Sequence, residues 1–371
     1  MIKLNENIIN FYFNQEKLIN NFREFEKMGA VYYPLKTNSN LSILKTLKPL
    51  LNNKDHGFLI SHPSHYHLLR KLKVPAKRMC LINVLAEDKF VKELYNKGVR
   101  YFTFDNLNSL LEFAKYANLK QVKIAVRLTI TEVFPDKISH LGGTKEECQA
   151  MLEYLRNNIC PDFGISFYLQ RELFTTDDSL NIMLDYISKN FNDFGMTFVN
   201  IGGAKEYQEI DPFKLTKLKQ ELKLKTIILE PGRFLAGNCV DMATRITKVK
   251  EIKGIKTVII KNGIYSGFVD VLLYHKLFEI YLMTKNDGLV KLGYEKSFAD
   301  DFVFSICGGS SDSGDRLGLY YLNHKYQSEL IPGAAFYVKN IGAYFEEFFM
   351  PLGGDLIIKY NIVSKKENKN E

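Results

Sequence analysis

The sequence predicts an α/β fold in two parts, a (β/α)8 barrel of the TIM type and a smaller all-β domain. Up to Arg233, short apolar runs alternate with amphipathic helical stretches; after it, the pattern is strands alone. At 371 residues the chain also exceeds what one hydrophobic core holds, since single cores stop growing near roughly 250–300 residues.

The barrel strands are legible as runs such as Tyr101-Phe-Thr-Phe104, Val122-Lys-Ile-Ala-Val126 and Thr197-Phe-Val-Asn-Ile201. Between them lie helical stretches like Asn108 to Tyr116, where Leu111 and Lys115 are one turn apart. Strand plus helix, repeated, gives parallel strands with helical crossovers. In the second part Met242 to Lys250, Thr257 to Ile260 and Ala335 to Val338 read as strands. The expected boundaries are 14–234 for the barrel, 235–361 for the β domain, and 362–371 as a charged, disordered tail or a linker.

Composition excludes several classes. Hydrophobic residues make up 46%, enough for a full globular core, and 50 Lys and Arg against 42 Asp and Glu give a net charge of +8. The lysines are spread along amphipathic helices as a solvated face, with no nucleic-acid motif, although a positive field suits an anionic substrate. Five cysteines without paired metal spacing suit reduced thiols in a cytoplasmic protein. No signal peptide and no apolar run of membrane-spanning length occur. His56, His62, His65 and His67 match no closed metal-ligand set and read as a polar loop and helix face.

The chemistry lies in four scattered segments. Val31-Tyr-Tyr-Pro-Leu-Lys36 reads as a buried strand delivering a lysine at its end, where apolar surroundings would depress its pKa and make it nucleophilic toward an aldehyde. The alternative is a lysine snorkelling to solvent. Phe198-Val-Asn-Ile201-Gly202-Gly203 is a strand entering paired glycines, which serve either a close approach to a phosphate or an ordinary turn. Ile227-Ile-Leu-Glu230-Pro-Gly232-Arg233 ends a strand in a carboxylate that needs a partner, a pyridinium N–H or a neighbouring cation. Gly342-Ala-Tyr344 is the fourth segment.

In this order the segments resemble the fold-type III pyridoxal-phosphate decarboxylases, the ornithine, diaminopimelate and carboxynorspermidine decarboxylase group, whose barrel is of the alanine-racemase kind. The resemblance covers nearly the whole chain, and it implies that residues 1–13 join 235–361 in a discontinuous all-β domain. It implies pyridoxal 5'-phosphate as cofactor, joined to Lys36 as a Schiff base. It implies that Gly202, Gly203, Gly232 and Arg233 hold the phosphate, that Glu230 pairs with the ring nitrogen, and that Tyr344 closes the pocket. Gly308-Gly-Ser-Ser-Asp312-Ser-Gly-Asp315 resembles the loop that marks the decarboxylase branch and reaches into the neighbouring subunit. A homodimer with shared active sites follows from that likeness. Ser139-His140 and Asn262-Gly-Ile-Tyr265 are similar to segments near the substrate, so His140, Tyr265, Asp312 and Asp315 are the substrate-side candidates.

The departures are informative. Ser311 stands where the family has cysteine, so protonation at the substrate Cα passes to a poorer donor or to Lys36, Tyr265 or water. Tyr168 stands where a stacking histidine is usual, and it stacks equally well but carries no charge near neutrality. An early acidic pattern is replaced around Leu59 to Ser61 and His65, and Asn262 replaces an acid. With carboxylates for a distal ammonium lost, the expected substrate is an amino-acid moiety on something larger, as in siderophore or microcin C-like biosynthesis. The expected activity is decarboxylation with Lys36, Ser311 and Glu230 catalytic. The rivals are a racemase using Tyr265 as second base, and an inactive regulatory homologue.

Overall fold

The computed structural model describes residues 8–51, 55–169, 178–203, 212–345 and 357–363. Two compact units divide the chain: Asn20–Lys36 with Leu44–Gly232, and Met1–Ile19 with Thr37–Ile43 and Arg233–Glu371. Of the expected tail, 362–371, Ile362 and Val363 belong instead to a strand, Ile357–Val363, and the rest lies outside the described residues, as do the first seven residues.

Strand β1 (Ile8–Asn14) belongs to the second unit. The next eight strands close on themselves: β2 (Ala30–Pro34), β3 (Gly57–Ile60), β4 (Met79–Leu81), β5 (Tyr101–Phe104), β6 (Lys123–Arg127), β7 (Asp162–Ser166), β8 (Phe198–Asn200) and β9 (Thr226–Leu229). All neighbours are parallel, and Ala30 opposite Ile228 seals β2 against β9. Parallel strands buried on both faces need unbroken apolar runs, which is why these segments do not alternate.

Tyr32, Leu59, Cys80, Tyr101, Ala125, Phe198 and Ile228 fill the barrel interior, each from a different strand. Outside, Tyr33, Phe58 and Phe102 are fully buried, and burying each such side chain contributes about 1.5–3 kcal/mol. At the N-terminal end of β6, Lys123 lies 4.2 Å over the Phe198 ring and 3.7 Å from the Asp162 carboxylate. Burial holds its pKa below the ordinary lysine range. Crossover helices start on real caps: Asn106 accepts the Ser109 N–H at 2.9 Å before Leu107–Ala114, and Thr144 with Glu147 forms a capping box before Lys145–Asn157.

Among the described residues, the second unit forms a nine-stranded sheet. It comprises β1, β10 (Val240–Ile252), β11 (Ile255–Ile260), β12 (Ile280–Met283), β13 (Leu289–Lys291), β14 (Asp301–Cys307), β15 (Arg316–Asn323), β16 (Ala335–Val338) and β17 (Ile357–Val363). Its order is β13-β12-β16-β10-β11-β14-β15, with β1 antiparallel on β10 and β17 parallel on β1. A short helix, Val269–Tyr274, interrupts the strands between β11 and β12. Two loops of this unit matter below, Asn262–Phe268 after β11 and Gly308–Asp315 between β14 and β15.

Three of the four histidines have local duties. His56 Nδ1 accepts the Val31 N–H at 2.9 Å, and burial lowers its pKa. His62 caps the helix Pro63–Lys71, and His65 accepts the Ser61 N–H at 3.4 Å. No described helix is long and apolar enough to cross a membrane.

Candidate active site

Several barrel strands end in a polar residue at the same, C-terminal, rim. Lys36 follows β2, Asp105 follows β5, Arg127 ends β6, Ser166 ends β7, Asn200 ends β8 and Glu230 follows β9. Convergence at this end is what a parallel barrel offers a ligand, because the βα loops that follow successive strands meet there.

Asn200 is the hub. Fully buried, it donates from Nδ2 to Glu230 Oε1 at 2.7 Å and accepts the Gly202 N–H on Oδ1 at 2.9 Å. Glu230 in turn donates its backbone N–H to the Gly202 carbonyl at 2.8 Å, and its carbonyl accepts from Gly232 N–H at 2.8 Å. Desolvation pushes the Glu230 carboxyl above its ordinary pKa, opposed by the Asn200 hydrogen bond and by the charges of Lys36 and Arg127. Arg127 is pushed down by burial and held up by Glu230, Asp105 and Tyr168.

The paired glycines are required by packing. Gly202 takes φ +66°, and a Cβ there would sit 2.6 Å from the Phe167 carbonyl oxygen; a Cβ on Gly203 would sit 2.6 Å from that of Glu230. The Gly202 N–H, expected to face a phosphate, is spent on Asn200 instead.

Lys36 corrects an expectation. The strand stops at Pro34, and Leu35–Thr37 turns as a 3-10 helix, so Leu35 is buried while Lys36 is exposed. Its ammonium is 5.9 Å from the Tyr168 ring centroid and acts electrostatically on Glu230. Its surroundings are charged and aromatic rather than the apolar burial expected.

In the second unit, Arg233 pairs with buried Asp270 through both guanidinium nitrogens, at 2.5 and 3.3 Å, and Lys276 lies 3.7 Å from the same carboxylate. The Arg233 guanidinium also stacks on the rings of Tyr344 at 4.7 Å and Tyr274 at 5.3 Å. Tyr344 adopts φ +59°, and its N–H reaches the Thr37 carbonyl at 2.6 Å. Asn38 Nδ2 donates to Gly342 O at 2.8 Å. The Gly342-Ala-Tyr344 segment is therefore strapped to the residues that follow Lys36.

A separate set joins Tyr265 to Asp312 through a phenol-to-carboxylate hydrogen bond of 2.5 Å. That bond raises the pKa of Tyr265 and lowers that of Asp312. Asp315 differs from the substrate-facing role expected: it is buried, with its carboxylate bound to backbone amides. Asn262 is likewise consumed internally, accepting from Thr244 at 2.7 Å and donating to Ser266 O at 3.1 Å. His140 and Ser311 are exposed on their loops, outside these clusters.

Sequence reading missed Arg127, Asn200 and Asp270. Arg127 and Asn200 carried a usable signal, a polar residue ending an apolar strand, the same one that found Glu230. Asp270 carried none, since one acid in a short helix does not announce its distant partner.

No family model matches the chain. Among curated proteins it is 24% identical over 342 residues to the probable chloroplastic diaminopimelate decarboxylase of Oryza sativa subsp. japonica, covering 83% of this chain and 66% of that one. It is 26% identical over 367 residues to the diaminopimelate decarboxylase of Campylobacter jejuni, covering 91% and 85%. The chain thus spans about two thirds of the rice protein's length. Among solved structures, the Paramecium bursaria Chlorella virus arginine decarboxylase superimposes with a TM-score of 0.77 at 17% identity, over 95% of this chain and 97% of that one. The Vibrio vulnificus lysine/ornithine decarboxylase complexed with cadaverine gives 0.75 at 17%, over 95% and 94%. SrLDC in complex with PLP and cadaverine gives 0.75 at 19%, over 97% and 94%. The chain is thus similar in sequence to amino-acid decarboxylases and carries the fold of these structures, a closed parallel barrel with a β-sheet unit.

Proposed function

We propose that the protein is a pyridoxal-phosphate-dependent decarboxylase that removes the α-carboxylate of an amino acid, or of an amino-acid moiety on a larger substrate. The observation that carries this reading is the Asn200–Glu230 pair at the barrel rim with Lys36 acting on it, in a chain whose relatives are decarboxylases.

The residues present fit the cofactor. Ser166 offers a buried hydroxyl that has no hydrogen-bond partner among the described residues, at the end of β7. Glu230 offers a carboxyl already steered by one donor, and Lys36 an exposed amine. Lys36 would hold the cofactor covalently, Tyr168 its ring face, Glu230 its ring nitrogen, and Gly203, Gly232 and Arg233 its phosphate, with Tyr344 alongside. When bound, the cofactor supplies the electron sink that loss of carbon dioxide requires.

The chain's own residues do the rest. Glu230 would hold a proton at the ring-nitrogen position; burial raises its pKa, and the Asn200 donor engages its Oε1. Lys36 and Ser311 are the groups that return a proton to the substrate Cα. Asp312 is the carboxylate left on its loop to meet substrate, since Asp315 is buried. One exposed acid recognises a distal ammonium poorly, which supports an amino-acid moiety within a larger molecule, as in siderophore or microcin C-like biosynthesis. A homodimer with shared sites in the cytoplasm completes the reading.

Racemisation is the weaker alternative. A second base must give up its proton, and the Tyr265 phenol is committed to Asp312, which raises its pKa. Purified protein given pyridoxal phosphate should turn yellow, and carboxyl-labelled substrate should release labelled carbon dioxide. Lys36→Ala should abolish both the covalent chromophore and the release. Protein that stays colourless, or that exchanges the Cα hydrogen without releasing carbon dioxide, would sink the proposal.

A further inference from the structure

Asp315 has an environment built around it. Its Oδ1 accepts the Ile264 N–H at 2.7 Å and its Oδ2 the Ser310 N–H at 3.2 Å, so each oxygen serves a different loop. Its own backbone closes the second loop, with Gly308 N–H on Asp315 O at 2.9 Å and Asp315 N–H on Asp312 O at 3.1 Å. Gly263 and Gly308 flank the carboxylate, and a Cβ on either would lie 2.2 Å from one of its oxygens. Gly263 has extended backbone, φ −158°, and Gly308 does not take a left-handed conformation. Neither glycine is there for its backbone freedom. Both are there to leave room for this carboxylate.

We propose that Asp315 is a positioning residue that locks the Gly308–Asp315 loop onto the Asn262–Phe268 turn, and so fixes the presentation of Ser311 and Asp312 to substrate. The proposal rests on the decarboxylase reading for its catalytic consequence but not for the lock itself. Tyr265 to Asp312 is a second, outer tie between the same two segments. The lock is the inner one, because both of its acceptor atoms are engaged and enclosed.

Asp315→Asn distinguishes this from a general structural role. An asparagine keeps one acceptor oxygen and turns the other atom into a donor, so it satisfies Ile264 or Ser310 but not both. Gly308→Ala attacks the lock from the opposite side by displacing the carboxylate. In full-length protein, Asp315→Asn should speed hydrogen exchange at the amide of Ile264 or of Ser310, and Gly308→Ala at both, by at least tenfold, while exchange in the barrel strands is unchanged. Pyridoxal-phosphate affinity, read by absorbance titration, should stay within about twofold. With the carboxyl-labelled amino acid turned over fastest from a panel of lysine, ornithine, arginine and meso-diaminopimelate, free and amide-conjugated, KM should rise about tenfold or more with a smaller change in kcat. Unchanged amide exchange in Asp315→Asn overturns the lock. Exchange that rises equally across the whole chain overturns it too. If no panel member is turned over by the parent protein, the decarboxylase reading fails, and the amide exchange still decides the lock.

Discussion

Asn200 holds Glu230 and Gly202 with one side chain, donating to the carboxylate at 2.7 Å and accepting from the glycine amide at 2.9 Å. The acid and the glycine turn are therefore one device, although they lie on consecutive strands and look like separate motifs. Replacing Asn200 by Ala breaks both bonds in a buried place, where each unsatisfied group costs about 1–3 kcal/mol. The Glu230 carboxyl then loses the hydrogen bond that opposes its desolvation, and its pKa should move further up. Pyridoxal-phosphate affinity should fall by about tenfold in an absorbance titration, and the protein should unfold at lower denaturant.

Glu230 also gives a pH dependence with a definite sign. Its folded pKa is raised, so burying the charged form weakens the fold. The favourable contribution is fully present below the unfolded value, about 4.3, and is lost as pH rises through the folded pKa. Glu230→Gln carries no such charge and still accepts from Asn200. Without cofactor, the variant should equal or exceed the parent in stability at pH 7, and this advantage should shrink on acidification towards pH 4. Denaturant titrations at several pH values check this; an advantage that grows on acidification would contradict the raised pKa.

The barrel was legible because parallel strands buried on both faces leave unbroken apolar runs, and β5 matches its predicted span from Tyr101 to Phe104. The run read as Val122 to Val126 is realised one residue later, and that shift is what puts Arg127 at the rim. Lys36 was legible as a position but not as an environment, since a single turn after Pro34 decides whether it points into apolar packing or outward. Asp315 and Asp270 were illegible in role. Sequence gives the acid, but which amides or cations saturate it depends on segments tens of residues away.

Arg233 and Asp270 make a further prediction. The carboxylate is 3% exposed and balances both Arg233 and Lys276. Asp270→Asn leaves two cations against a neutral amide, and breaking a buried pair from one side costs about 3–5 kcal/mol. The β-sheet unit should lose stability on that scale. Adding Arg233→Met should recover part of the loss, because it removes the stranded charge. Chemical denaturation of both variants, followed by tyrosine fluorescence, measures the recovery; no recovery would mean that Asp270 answers chiefly to Lys276.

Gly202→Ala and Gly203→Ala should both be damaging, for different reasons. Gly202 pays a left-handed conformation and a carbonyl contact, Gly203 only the contact with the Glu230 carbonyl. A non-glycine residue held in that left-handed region adds about 1 kcal/mol or more to the steric cost. The stability loss in Gly202→Ala should therefore exceed that in Gly203→Ala. Cofactor affinity should fall in both, because Gly202→Ala pushes on the Phe167–Tyr168 backbone and Gly203→Ala on the backbone that carries Glu230.

Tyr265→Phe separates the phenol's two possible uses. As a racemase base it would be indispensable, and Cα exchange would vanish with it. As a tie to Asp312 it is supporting, and carbon dioxide release should persist within about tenfold. The pH profile carries the finer test. Asp312 owes its lowered pKa first to the Tyr265 hydroxyl and then to the Gly314 N–H at 2.7 Å. Without the phenol, the Asp312 carboxyl should rise towards the ordinary value near 3.9, protonating at higher pH than in the parent. If Asp312 binds substrate as the carboxylate, the acid limb of kcat/KM moves to higher pH in the variant, while Asp312→Asn removes that limb altogether. An unmoved limb in Tyr265→Phe would mean that Asp312 does not meet the substrate in its charged form.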